Sequence, residues 1–277
     1  MQEFHYKVRW RSRGAHSGFH ASTHTGGGFE FRGHAPLIEG RDPRRIDLRA
    51  SARDPFEQLY VRVFHQKAAI PVYALTDLSA SMSFGRKPEI LADFIAACAY
   101  SAHRTGDSFA FIGCDHRVRR DFHLPLTRAR AAGQVLADGL RQLGHWGRDS
   151  AALADAIRFF DERRALVFLI SDFHFPAALL AGVLASLARH TVVPVVVRDS
   201  NEERELPAFG LLRLKDSETG TTRTVFARPA LNRRIRVAAD ERDKNLKRLA
   251  GRLASPPLYL VDRLRVDAVS EYFLGLP

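Results

Sequence analysis

Four short runs set the strongest limit on this fold: "IPVYALTD", "DSFAFIGCD", "ALVFLISD" and "TVVPVVVRD", residues 70–77, 107–115, 165–172 and 191–199. Each is mostly apolar and rich in β-branched or aromatic residues. At that length such runs read as strands covered on both faces rather than as helices. Helical stretches lie between them. Pro88 stands at a first helical position before "PEILADFIAACAYSAHR", two more stretches cover about 127–143 and 150–161, and "PAALLAGVLASLARH" again starts with proline. Strands that alternate with helices need crossover connections, which give a mostly parallel sheet with helices on both faces. The predicted class is α/β, doubly wound.

The flanks differ. Residues 1–65 read as an N-terminal extension, and the segment "RGAHSGFHASTHTGGGFEFRGH" predicts irregular structure with a short strand or two. An arginine-rich box, "GRDPRRIDLRASARDP" (40–55), follows, then the alternating strand "EQLYVRVFHQ". Residues 66–277 form the α/β domain. It carries a hairpin insertion at about 206–228, turning at "DSETG" with Gly220 free to take a positive φ. A basic helix over 230–254, the strand "PLYLVD" and a last helix near "VDAVSEYFLG" close the chain.

Composition excludes several classes. No apolar run approaches bilayer length, and the leading residues lack the apolar core of a secretory leader. Cys98 and Cys114 have no metal-ligand spacing and read as buried free thiols, which suits a cytoplasmic location. The net charge of +11 admits nucleic acid, an acidic lipid surface or an acidic protein as partner. The basic residues are spread from Arg9 to Arg265 rather than gathered in one tract.

Two of the apolar runs end in an acid next to further polar groups. Asp77 is followed by Ser79 and Ser81 in "TDLSASM", and Asp172 ends "VFLISD". Ligands of open α/β sheets collect beyond the carboxyl ends of strands. If the two strands are neighbours across the switch point, these side chains share one crevice. The set is all oxygen, and it suits Mg²⁺ or Mn²⁺. The alternative is a strand-to-loop turn whose short polar side chains bond to the backbone.

D-x-S-x-S at the end of a first central strand, with a later strand-end aspartate, resembles the metal-ion-dependent adhesion site of von Willebrand factor A domains. More narrowly, "GRDPRRIDLRASARDP", "TDLSASMSFG", "GDSFAFIGCD", "LISDF" and "LKDSETG" resemble the domain-of-unknown-function 58 family, whose members often accompany MoxR-type AAA+ ATPases. The resemblance spans nearly the whole chain. It implies a Mg²⁺ or Mn²⁺ site at Asp77, Ser79, Ser81 and Asp172, a partner that supplies an Asp or Glu to the metal, and a MoxR-type ATPase as associated protein. In the wider von Willebrand class a threonine opening a later helix completes the site. Here that segment reads "GHWGRDSAALADAI", without threonine, which leaves three readings: Ser150 substitutes, Asp149 contributes through water, or the site has lost a ligand.

Catalytic signatures are absent. Neither Ser79 nor Ser81 lies in a G-x-S-x-G elbow, no acid stands two residues after Asp77, and "GGGFEFRG" lacks the Lys-Ser/Thr of a phosphate loop. The expected function is metal-dependent protein–protein binding. The alternatives are nucleic-acid or anionic-surface binding through basic faces, and hydrolysis by metal-activated water. His16, His20 and His24 would share a face only on a helix, which this glycine-rich segment does not favour. In the arginine-rich box, Asp42 with Arg44 and Asp47 with Arg49 or Arg53 form a salt-bridge lattice, or else Arg44, Arg45, Arg49 and Arg53 face a partner.

Overall fold

The computed structural model describes residues 2–12, 17–26, 30–39, 42–202, 210–215 and 222–276. The chain divides into two units, Val8–Ile70 and a larger one made of Met1–Lys7 with Pro71–Pro277. The division thus falls five residues beyond the point the composition suggests, because the strand that starts at Tyr60 runs on to Ala68, and the leading residues go with the larger unit.

In the smaller unit β1 (Ser17–Gly26) and β2 (Glu30–Pro36) flank a later strand, β3 (Tyr60–Ala68), all antiparallel. More of this segment is strand than its glycine, serine and histidine content predicts. The backbone pairing with β3 supplies the order, and register shifts in both pairs hide the alternation. Gly18 is needed for close approach, since a Cβ there would stand 2.4 Å from the amide nitrogen of Ala69. His20 and His24 lie on β1, so the helical spacing that could gather them does not exist; His16 lies outside the described residues. Between β2 and β3 the box folds as a 3-10 turn, Pro43–Arg45, and the single helical turn α1 (Leu48–Ser51). Gly40 and Arg41 lie outside the described residues.

The larger unit runs β4 (Pro71–Asp77), α2 (Lys87–Arg104), β5 (Ser108–Cys114), β6 (Val118–Thr127), α3 (Ala132–Arg141), β7 (Leu166–Ser171), α4 (Ala177–Ser186) and β8 (Thr191–Arg198). The strands β9 (Gly210–Lys215) and β10 (Thr222–Ala227), α5 (Pro229–Leu253), β11 (Leu258–Val261) and α6 (Val266–Gly275) follow. The sheet order is β11-β8-β7-β4-β5-β6, parallel except for β6 at the edge. This is the doubly wound architecture expected. β9 and β10 pair antiparallel from Gly210↔Ala227 to Lys215↔Thr222; the turn with Gly220 lies outside the described residues, as do residues 206–209 of the predicted insertion. The stretch near 150–161 is a 3-10 helix, Ala151–Phe159, not an α-helix.

Strand alternation sends Tyr73, Leu75, Val167, Leu169 and Val196 to one face, against Leu153, Leu180 and Leu184 and, from α5, Leu246. On the other face Phe168 meets Phe94 of α2, Phe273 of α6 and Phe4 in an aromatic cluster with ring centroids 5.3–6.1 Å apart. Each large side chain so buried contributes about 1.5–3 kcal/mol. Cys98 and Cys114 are buried free thiols in this core.

Candidate metal centre

From β4 the chain moves outward through β5 and β6, then returns to lay β7, β8 and β11 on the other side of β4. The switch point therefore lies between β4 and β7, and the strand ends there carry Asp77 and Asp172. Thr76 is in register with Ile170, so the two acids meet in one crevice.

The loop after β4 follows from its sequence. In "DLSASM" the apolar Leu78 and Met82 are wholly buried and pin the turn from below. The Leu78 amide donates to the Cys114 carbonyl at 2.7 Å, and its carbonyl accepts from the Gly147 amide at 2.8 Å. Asp77, just before Leu78, and Ser79 and Ser81, between Leu78 and Met82, are left to bond with one another and with the strand end of β7. Asp77 Oδ1 accepts from the Ser79 amide at 2.9 Å and Oδ2 from the Ser171 hydroxyl at 2.7 Å. The hydroxyls of Ser79 and Ser81 are 3.1 Å apart, and that of Ser81 donates to Asp172. Phe173 follows in the left-handed region, φ +57°, with its amide on Ser171 Oγ. Such strain in a bulky residue persists only where the surroundings fix it, and here it turns the chain sharply just past Asp172.

The two carboxylates are unequally served. Asp77 is wholly buried, and burial together with the charge of Asp172 pushes its carboxyl up to about 6. Among the described residues no lysine, arginine or histidine pairs with it. Burial also opposes ionisation of Asp172, but His174, Lys87 and the Ser81 hydroxyl outweigh it and hold that carboxyl below the usual range. Lys87 Nζ donates to Asp172 Oδ2 at 2.8 Å, to Glu202 Oε1 at 2.6 Å and to the Ser81 carbonyl at 3.2 Å. The crevice opens into a cavity of about 460 Å³ lined in part by Asp172, His174, Glu202, Arg236 and Arg242.

All four predicted ligands from the two strand ends thus stand together. An uncompensated buried carboxylate beside two hydroxyls and a second carboxylate fits a hard divalent cation. The loop that carries Ser150 and Asp149 reaches the same strand ends. Ser150 is buried at the head of the 3-10 helix, and Asp149 is exposed with its carboxylate on the Ala151 amide. Gly147 of that loop is paired with Ser79. Sequence reasoning missed Ser171, Lys87, Glu202 and Asp199. Asp199 caps α2 by accepting from the Arg86 amide at 2.7 Å, and it packs where a Cβ on Gly85, at φ +56°, would lie. An aspartate ending "TVVPVVVRD" was the available signal for it.

The arginine-rich box is held by other partners than the expected ones. Asp47 binds Arg62 Nε at 2.8 Å and His34 at 3.1 Å, and caps α1 through the amides of Arg49 and Ala50. Asp42 caps its 3-10 turn through the amide of Arg44, with Arg45 Nε at 3.9 Å. The side chain of Arg45 lies over Phe64, whereas Arg44, Arg49 and Arg53 are exposed. On α5, Arg233, Arg234, Arg236, Arg242, Lys244, Lys247 and Arg248 are exposed and interleaved with acids. Among the described residues no helix is long and apolar enough to cross a membrane.

The chain is similar to known proteins over much of its length. Uncharacterized protein Rv1480 of Mycobacterium tuberculosis (strain ATCC 25618 / H37Rv) is 28% identical over 204 residues, 69% of this chain and 62% of that protein. The chain thus spans about three-fifths of the length of the curated relatives it matches first. A Paracoccus denitrificans protein named "Uncharacterized protein in moxR 3'region" is 36% identical over 97 residues, 35% of this chain and 92% of its own. The solved von Willebrand factor type A from Catenulispora acidiphila is 19% identical, with a TM-score of 0.39, over 76% of this chain and 42% of that one; a likeness at that score carries no functional weight. The family described as "Protein of unknown function DUF58" matches residues 36–246, and this chain belongs to it.

Proposed function

We propose that this protein binds a partner protein through a divalent cation, Mg²⁺ or Mn²⁺, held by Asp77, Ser79, Ser81 and Asp172. The observation that carries the reading is Asp77, a wholly buried carboxylate with no cationic partner among the described residues, within one crevice with two hydroxyls and a second acid. When bound, the ion supplies a coordination position for an Asp or Glu of the partner. The chain's own residues do the rest. Ser171 and the Ser79 amide orient Asp77, and Leu78 and Met82 fix the loop. Arg44, Arg49 and Arg53 offer exposed guanidinium groups to the same class of partner. The relative whose name refers to a moxR 3' region supports a MoxR-type AAA+ ATPase as the associated protein. Binding is favoured over catalysis because neither Ser79 nor Ser81 lies in a nucleophile elbow.

The test is thermal unfolding from a chelated start, titrated with Mg²⁺ and Mn²⁺, on wild type and Asp77→Ala. An ion bound only by the folded state stabilises it by about 2.7 kcal/mol at a hundredfold excess over Kd. The reading expects that rise in wild type and none in the variant, and ATPase capture that is lost with chelator. Capture that ignores chelation and falls steeply with salt overturns it in favour of the basic faces.

A further inference from the structure

Lys87 is an unusual residue for its position. It is the first residue of α2, where the helix dipole disfavours a cation, and its side chain is 0% exposed. A buried ammonium is tolerated only with its hydrogens and charge satisfied. Here both are. Its three hydrogens meet three acceptors, Asp172 Oδ2, Glu202 Oε1 and the Ser81 carbonyl. The crevice therefore already contains a cation covalently tied to the chain. That cation serves Asp172 and leaves Asp77 unserved.

We propose that Lys87 is a tethered competitor that shares Asp172 with the divalent ion and so sets how tightly the site can hold it. The inference rests on the metal-site reading above. Two cations cannot both lie close to one carboxylate in a buried crevice without strong repulsion. The other oxygen of Asp172 already accepts from the His174 amide at 3.1 Å. An ion that takes Asp172 fully must displace the ammonium, for which Glu202, the more exposed of its two acids, is the remaining carboxylate. The site is thereby weak until Lys87 moves, and Lys87 is the residue that determines its affinity.

The experiment is Mn²⁺ titration of the full chain, followed by loss of the free-ion electron paramagnetic resonance signal. It compares wild type, Lys87→Gln, Asp172→Asn and the double variant, each checked for folding by circular dichroism. Glutamine keeps two donors without the charge. Competition for Asp172 predicts about tenfold or greater tightening in Lys87→Gln, and loss of most of that gain in the Asp172→Asn background. Equal gains in both backgrounds would mean a distant charge effect and overturn the proposal. So would unchanged or weaker binding by Lys87→Gln while wild type binds, a result that leaves the metal site itself standing. No Mn²⁺ bound by either wild type or Lys87→Gln overturns both the site and the competitor. Binding by Lys87→Gln alone supports both. Should Lys87→Gln fail to fold, Lys87→Gln/Glu202→Gln removes the ammonium together with one of its acids and carries the same comparison.

Discussion

Replacing Asp77 by asparagine should make the metal-free protein more stable, not less. Burial, then the charge of Asp172, move this carboxyl from its ordinary 3.8 up to about 6. A rise of that size is worth about 3 kcal/mol against the folded state once the group is ionised. Because the folded carboxyl is the weaker acid, the folded state keeps a proton that the unfolded chain has already lost. The stability this supplies is present at low pH and is lost as pH rises through about 6. Asparagine keeps the shape and can still engage Ser171 and the Ser79 amide, without the charge. Urea unfolding in chelator at pH 7.5 should therefore show Asp77→Asn ahead of wild type by up to about 3 kcal/mol, with the gap closing toward pH 4. Working with the difference between the two proteins cancels the acids whose titration runs the other way. Saturating Mg²⁺ should reverse the order, since only wild type gains from it. A variant less stable than wild type in chelator at pH 7.5, or a gap that does not change with pH, would refute the reasoning.

Ser171→Ala removes the hydroxyl that donates to Asp77 and accepts from the Phe173 amide. Leaving both groups unsatisfied in a buried crevice should cost about 1–3 kcal/mol in urea unfolding and weaken Mn²⁺ binding, since Asp77 loses its orienting contact. Gly147→Ala puts a Cβ 2.0 Å from that of Asp115, an impossible approach, so the loop must move off Leu78. Thermal unfolding should show a loss of about 1–3 kcal/mol, and a neutral result would mean the loop has no fixed seat there.

The sheet was legible because its strands are covered on both faces and read as unbroken apolar runs. The adjacency of Asp77 and Asp172 was legible only as a condition. It depends on the chain placing β5 on one side of β4 and β7 on the other, and no local pattern states that. Lys87 was not legible. A lysine before proline at a helix start looks solvated, and only the acids brought in from β7 and the Glu202 loop show that it is buried. The first two N-terminal strands were legible only as a short strand or two without bounds, because bulged polar strands lack a period, and the true partners of Asp47, Arg62 and His34, come from β3 and β2 rather than from the box. The 3-10 helix after Ser150 has an apolar periodicity close to that of an α-helix, which pattern alone does not separate over two or three turns.

Phe4 lies in the aromatic core of the larger unit, stacked on Phe94, yet the chain leaves that unit after Lys7 and re-enters it at Pro71. The smaller unit is thus an insertion in the sequence of the larger one, and the leading segment is a clasp that packs within its own unit. Closing that gap of 63 residues, Val8 to Ile70, carries an entropy cost of about 4 kcal/mol beyond a constant, which the burial of Phe4 and Tyr6 must offset. The clasp should therefore engage late in folding and be the first part to open. A single proteolytic cut within the insertion would leave it held by packing alone.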